Sequence, residues 1–280
     1  MVKKNKIKIY TEKYHSQKDA WLSFLIHPIK AFWGDGTLDW GKHEESFIFH
    51  KSYLTITDNI IKADVAFLPL TLNYYIKNKV LFKVKKFIDR AKRYNLKSYI
   101  WIDGDNQIRY MNHRRDCVFI KNFSYKSKLL KNELIRPGDL KYDLLESLLN
   151  GKIRTKEKSK IPLIGFDGLA SYSNVYLLNL IVRNIFLKLL YKTHLTRIDP
   201  DHILPYLLKR NKILKNLEKS IIINTNFKIR SIFAEGTIGN IPNSRNEFLN
   251  NIISSDYTLC YRGAANYSLR FYETLCLGRI

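Results

Sequence analysis

The chain has 280 residues, 45% hydrophobic and 13% aromatic, enough to bury one large core or two medium ones and too apolar for a disordered segment. Forty-eight basic residues against 25 acidic give a net charge of +23, divided as 33 basic to 17 acidic in residues 1–160 and 15 to 8 in 161–280. Such an excess fits nucleic acid, an anionic membrane surface or an anionic substrate, or simply solvated lysines on helix faces. Three dispersed cysteines (Cys117, Cys260, Cys276) exclude a disulfide framework and a zinc site. No apolar leader and no run of about 20 apolar residues occurs, so a cytoplasmic location is expected.

Lys6–Thr11 alternates and predicts a first strand. Residues 12–43 carry many aromatics around Trp33-Gly34-Asp35-Gly36 and predict a long loop with a short helix, either a ligand-binding loop or a surface loop whose aromatics pack downward. Glu44–Thr57 is expected to be partly helical. Ala63–Leu70 and Ser98–Ile102 have the length and composition of buried strands, the second running into Asp103-Gly104-Asp105-Asn106, and Val118–Phe123 is another. Between the first two, Val80, Leu81, Val84, Phe87, Ile88 and Ala91 recur at helical spacing over Lys79–Tyr94. This alternation predicts a parallel sheet covered by helices.

The polar run Asn150–Lys160 predicts a boundary between domains 1–155 and 156–280. Beyond it the pattern restarts. Ile161–Phe166 is a strand, Asn174–Tyr191 a long apolar helix, and Asp199 or Asp201 the cap of a helix reaching about Lys219. Ser220–Asn224 and Phe227–Phe233 are strand-like.

The segment Ser244–Ile280 concentrates the chemistry. Ser244 and Glu247 have capping-box spacing ahead of a helix bearing Phe248, Leu249, Ile252 and Ile253. Asp256–Tyr261 predicts a strand delivering Arg262 and Gly263 to its carboxyl end, where open α/β sheets bind ligands. The loop Gly263-Ala264-Ala265-Asn266-Tyr267-Ser268 follows, with Ser268 or Asn266 capping a helix over Leu269–Leu277. A helix N-terminus favours phosphate, and Arg262 and Arg270 would add charge-assisted bonds to a diphosphate. Arg270, Glu273 and Leu277 share a face, placing Glu273 where a carboxylate accepts from a ribose diol; an i, i+3 surface ion pair explains the same spacing. The opposite face, with Phe271, Leu275 and Tyr272, is expected to be core.

Residues 245–280 resemble the C-terminal signature of exostosin-type glycosyltransferases, in which a strand ending in Arg-Gly precedes S-x-R-F-x-E-x-L-x-x-G-R-I. Ser268, Arg270, Phe271, Glu273, Leu275, Gly278, Arg279 and Ile280 stand in that pattern. Ala63–Leu70, Asp103–Asn106 and Ile161–Gly168 carry weaker echoes. The resemblance implies an α/β protein of GT-B type: two Rossmann-like α/β/α domains facing across a cleft, the second incomplete at its C-terminus. It implies inverting transfer of a sugar from a nucleoside diphosphate sugar to a saccharide or lipid-linked saccharide, in surface polysaccharide or glycan synthesis. No cofactor and no metal are expected. The donor would be held by Arg262, Gly263, Ala264, Asn266, Ser268 and Arg270, with Glu273 on the ribose.

Inversion needs a general base beside the acceptor hydroxyl. Asp35 is the first candidate and Asp103 and Asp105 the next, although an Asp in a Gly-rich turn usually bonds its own backbone. No His pair has metal-binding spacing, and no Walker loop or nucleophile elbow occurs. The basic N-terminal half suits peripheral contact with the anionic inner face of a membrane. Two other classes remain open: a catalytically inactive GT-B-like accessory protein, and a basic nucleic-acid-binding protein, for which no recognition signature is present.

Overall fold

The computed structural model describes residues 6–12, 51–104, 107, 108, 110, 114–122, 124–136, 143–157, 159–200, 202–231, 243–263 and 266–280. The chain forms two compact units. The first comprises Met1–Asp105 with Tyr110–Pro137, the second Asn106–Arg109 with Gly138–Ile280.

The first unit is built on a six-stranded, wholly parallel sheet. Its strands are β1 (Ile7–Tyr10), β2 (Leu54–Thr57), β3 (Val65–Phe67), β4 (Ser98–Ile102), β6 (Cys117–Lys121) and β7 (Glu133–Ile135), in the order β2-β1-β3-β4-β6-β7. Winding outward from β1 in both directions puts the reversal of strand order between β1 and β3, the place where such sheets open a ligand crevice at their carboxyl ends. Two helices lie between β3 and β4, α1 (Leu72–Lys77) and α2 (Leu81–Arg93). In α2 the residues Val84, Phe87, Ile88 and Ala91 are buried at i, i+3, i+4 and i+7, while Lys83, Lys85, Lys86 and Lys92 face water. Ile9, Phe67 and Trp101 form a further core cluster of the sheet. A Phe or Leu buried this completely stabilises by about 1.5–3 kcal/mol.

The second unit carries a three-stranded parallel sheet of β8 (Leu163–Leu169), β10 (Asn224–Arg230) and β11 (Tyr257–Thr258), in the order β10-β8-β11. A two-stranded antiparallel ribbon joins β5 (Gln107–Ile108) to β9 (Ile198–Asp199). The helices are α3 (Leu144–Leu149), α4 (Asn174–Lys192), α5 (Tyr206–Glu218), α6 (Ser244–Ser254) and α7 (Leu269–Cys276). Leu144 and Leu149 of α3 pack with Phe248, Leu249 and Ile252 of α6 and with Leu277 just after α7.

Both halves are therefore α/β with parallel sheets, compatible with a Rossmann-like fold. Among the described residues no helix is long and apolar enough to cross a membrane.

Several local expectations are corrected. The polar run 150–160 lies within the second unit, because its charged groups find partners there. Lys156 donates to the Ser254 carbonyl (2.6 Å) and pairs with Asp256 (2.8 Å), and the Arg154 carbonyl accepts from Arg279 (2.7 Å). The stretch 44–57 is partly helical as expected, at residues 51–53, but its last four residues form a strand because they complete the parallel ladder beside β1. Asp199 caps no helix: it sits in β9, paired with Lys188, and Pro205 precedes α5. Residues 220–223 form a turn, and β10 begins at Asn224, whose N–H bonds the Pro162 carbonyl (2.9 Å). The stretch expected as the strand Asp256–Tyr261 pairs only over Tyr257–Thr258. No capping box forms at α6. Asn243 is the cap residue in a left-handed conformation (φ 71°), Ser244 is the first helical residue, and Glu247 turns instead to Lys228 and Arg230.

Candidate functional site

The carboxyl end of β8 and its two neighbours is filled by guanidinium groups. Strand ends leave backbone carbonyls without ladder partners, and a buried carbonyl needs a donor. Arg270, in the first turn of α7, supplies two: Nη1 donates to the Leu259 carbonyl (3.4 Å) and Nη2 to the Asp167 carbonyl. Its guanidinium stacks on Phe166 (4.4 Å to the ring centre). Arg210 of α5 does the same from the other side. Its Nη1 donates to the Leu169 carbonyl (2.6 Å) and its Nη2 to the Arg262 carbonyl (2.6 Å), with the guanidinium over Phe166 and Tyr206. Arg210 thus ties the end of β8 to the loop leaving β11.

The third arginine, Arg230 at the end of β10, grips the Asp167 carboxylate with both Nε and Nη2 (2.8 Å for Nη2) and also reaches Glu247 (3.0 Å). The Asp167 side chain is wholly buried. Gly168 leaves room beside it: a Cβ there would lie 2.7 Å from Arg270 Nη2, so the guanidinium would have to shift.

The electrostatics of the three differ. Burial, reinforced by the neighbouring Arg210 charge, pulls Arg270 down to about 10, and burial lowers Arg210 as well. Arg230 moves up, held charged chiefly by Asp167. Arg210 and Arg270 each keep a buried Nε with no hydrogen-bond partner. Two buried, adjacent cations bonded mainly to carbonyls make a positive focus in a region of low dielectric.

Glu273 lies one turn along α7, 2% exposed. Its Oε1 pairs with Arg245 of α6 (2.7 Å), while its Oε2 is buried without a hydrogen-bond partner. The Arg270–Glu273 surface ion pair does not form, because both side chains turn inward and each takes another partner. The expected packing of α7 is also corrected. Arg270, Glu273, Thr274 and, just past the helix, Leu277 are buried, whereas Phe271 and Leu275 are 48% and 52% exposed. The polar face wins the interior because the strand-end carbonyls and Arg245 supply partners that water would otherwise supply.

Of the other expected donor residues, Arg262 and Gly263 follow β11, with the Gly263 N–H on the Tyr267 carbonyl (3.3 Å). Ser268 is the residue preceding α7, but its side chain caps no amide. Asn266 and Ser268 stand in the same short loop; Ala264 lies outside the described residues. Arg262, Arg270 and Glu273 are thus gathered on one strand–loop–helix unit, with Arg270 turned into the sheet end and not toward solvent.

Asp35 and Asp105 also lie outside the described residues. Asp103 ends β4. Its N–H donates to Asn73 Oδ1 and its carbonyl accepts from Asn73 Nδ2, each at 2.8 Å; its Oδ1 accepts from the Gly104 N–H (2.8 Å) and from Asn122. Burial raises its carboxyl, with the Gly104 and Asn122 hydrogen bonds pulling the other way. No group of three or more His, Cys, Asp or Glu side chains that would hold a metal occurs among the described residues.

Arg210, Arg230, Asp167 and Arg245 carry much of this arrangement, and sequence reading passes over the three arginines, while Asp167 falls in the segment Gly165–Gly168 that it offers either as donor-cleft lining or as a plain strand-to-loop turn. One signal was present: Arg210 stands at i+3 and i−4 from Leu207 and Leu214, a charge in the apolar stripe of α5. Comparison of the chain with protein-family models, with curated proteins and with solved structures gave no match.

Proposed function

We propose that the protein is a glycosyltransferase of exostosin-like, GT-B type, moving a sugar from a nucleoside diphosphate sugar to a saccharide hydroxyl with inversion. The observation that carries this reading is the buried, half-satisfied Glu273 carboxylate beside a strand-end cluster of arginines. An Oε2 with no partner is an acceptor for a ribose hydroxyl, and the neighbouring cations and the N-terminus of α7 suit a diphosphate. The motif residues Arg262, Ser268, Arg270 and Glu273 also share the strand–loop–helix setting that the family resemblance requires.

In this reading a base takes the proton of the acceptor hydroxyl as its oxygen attacks the anomeric carbon. The bond from that carbon to the diphosphate oxygen breaks, and the diphosphate leaves with the electron pair. Positive charge fixed at the leaving group lowers the barrier without reorganisation. Asp103 is the described candidate for the base, since burial raises its affinity for a proton. Asp35, which lies outside the described residues, stays a candidate on its place in the Gly-flanked aromatic segment of the sequence.

The test is thermal stabilisation by UDP and GDP, measured on the whole chain. A shift with one of them that disappears in Glu273→Gln supports the donor site; no shift with either overturns it. Asp103→Asn is expected to keep the nucleotide shift and to lose transfer by about 10²–10⁴-fold if Asp103 is the base. Nucleotide binding without transfer across a panel of donors and acceptors identifies the inactive accessory protein instead.

A further inference from the structure

Helix α4 has two apolar faces; one is half-buried and the other exposed. Leu177, Leu180, Ile181, Leu187 and Tyr191 recur at helical spacing on the half-buried side. On the opposite side Val175, Leu178, Val182, Phe186 and Leu189 recur at i, i+3, i+7, i+11 and i+14, and are 56–70% exposed. A helix of 19 residues is roughly 28 Å long, so these side chains form a continuous stripe over most of that length. Scattered exposed apolar residues need no explanation, but a periodic stripe of five on one helix does.

Charge selects what covers it. The sequence has no acidic residue between Asp167 and Asp199, while Arg183, Lys188, Lys192 and Arg197 all fall there. Lys188 is engaged with Asp199, and Arg183 and Lys192 are exposed. A second copy of the chain is a poor occupant. Antiparallel pairing centred on the middle of the stripe would set Arg183 against its own counterpart, with no carboxylate on the helix to offset it. Crossing a bilayer is excluded by Arg183 and Lys188 within the helix, and no described helix is apolar enough to cross. An apolar stripe flanked only by cations is the pattern of a helix lying in the interface of an anionic bilayer.

We propose that α4 is a membrane-surface helix that inserts Val175, Leu178, Val182, Phe186 and Leu189 among the acyl chains of anionic lipid, with Arg183 and Lys192 at the headgroups. This assignment is independent of the glycosyltransferase reading. The experiment is co-sedimentation of the whole chain with phosphatidylcholine–phosphatidylglycerol vesicles and with phosphatidylcholine vesicles. Binding is expected to the first, at least about tenfold stronger than to the second, and to weaken as salt is raised. Leu178→Ser with Phe186→Ser, both exposed positions, is expected to keep the thermal melt and to lower binding at least about tenfold. Arg183→Gln with Lys192→Gln is expected to reduce the preference for phosphatidylglycerol. Equal binding by wild type and the Ser variant, or no binding by wild type at low salt, overturns the proposal. So does a dimer in sedimentation equilibrium that the Ser variant dissolves, which would assign the stripe to a second copy.

Discussion

The carboxyl ends of the two parallel sheets meet the same demand with opposite chemistry. At the end of β4 the backbone of Asp103 is satisfied by one neutral amide, Asn73, which donates and accepts at 2.8 Å. At the end of β8 the carbonyls of Asp167 and Leu169 are satisfied by Arg270 and Arg210. Neutral amides do this with a modest desolvation cost. Buried guanidiniums do it only by carrying charge into the interior, where Arg210 and Arg270 are stabilised by Phe166 and by carbonyl dipoles, and neighbouring Arg230 by Asp167. The second sheet end is thus closed by buried charge and the first by a neutral amide.

The largest effect expected from this contrast is at Arg230. Arg230→Leu leaves the Asp167 carboxylate buried without its main partner and is expected to cost about 3–5 kcal/mol in urea unfolding, whereas the double change Arg230→Leu with Asp167→Leu recovers most of it. Asn73→Ala at the first sheet end is expected to cost about 1–3 kcal/mol, the desolvation of unpaired backbone groups. If Arg230→Leu costs no more than Asn73→Ala, the contrast between charged and neutral closure fails.

A smaller effect sharpens the same point. Gly168→Ala places a Cβ against Arg270 Nη2 and is expected to cost about 1–3 kcal/mol through overpacking. The penalty should shrink in Arg270→Met, which removes the clashing nitrogen; an unchanged penalty in that background would mean the strain lies in the backbone.

The smallest effects are read from pH, and the two units should slope in opposite directions. Asp256 is held down to about 2, first by Lys156 and then by the Leu163 N–H. Between that value and the usual carboxylate range the unfolded chain binds the proton that the fold refuses. Its contribution is present above the usual range and is lost as pH falls toward 2. Asp103 is raised, so its contribution is full below the usual range and is lost as pH rises through the raised value. Asp256→Asn should flatten the acid limb of stability against pH, and Asp103→Asn should steepen it. The same sign for both variants would contradict the assigned environments.

Much of the fold was legible in local pattern. The helical period of Val84, Phe87, Ile88 and Ala91 and the apolar runs of β3, β4 and β8 depend on near neighbours, so they survive without knowledge of the rest of the chain. Short pairings were not legible. β2, β9 and β11 exist because a partner strand passes alongside, and nothing in Leu54–Thr57 or Tyr257–Thr258 states which strand that is.

The sequence alone determined that Arg270, Glu273 and Leu277 would share one face of α7 and that Arg262 and Gly263 would lead into it, because helix geometry fixes relative angles around an axis. Only the tertiary structure decided which face is inside. Hydrophobicity alone assigns Phe271 and Leu275 to the core, yet the bare carbonyls of Asp167 and Leu259 and the guanidinium of Arg245 draw Arg270 and Glu273 inward. Those partners come from three other segments, the two carbonyls 11 and 103 residues away in sequence and Arg245 on another helix, and burying strand ends without donors costs more than leaving two apolar side chains half exposed.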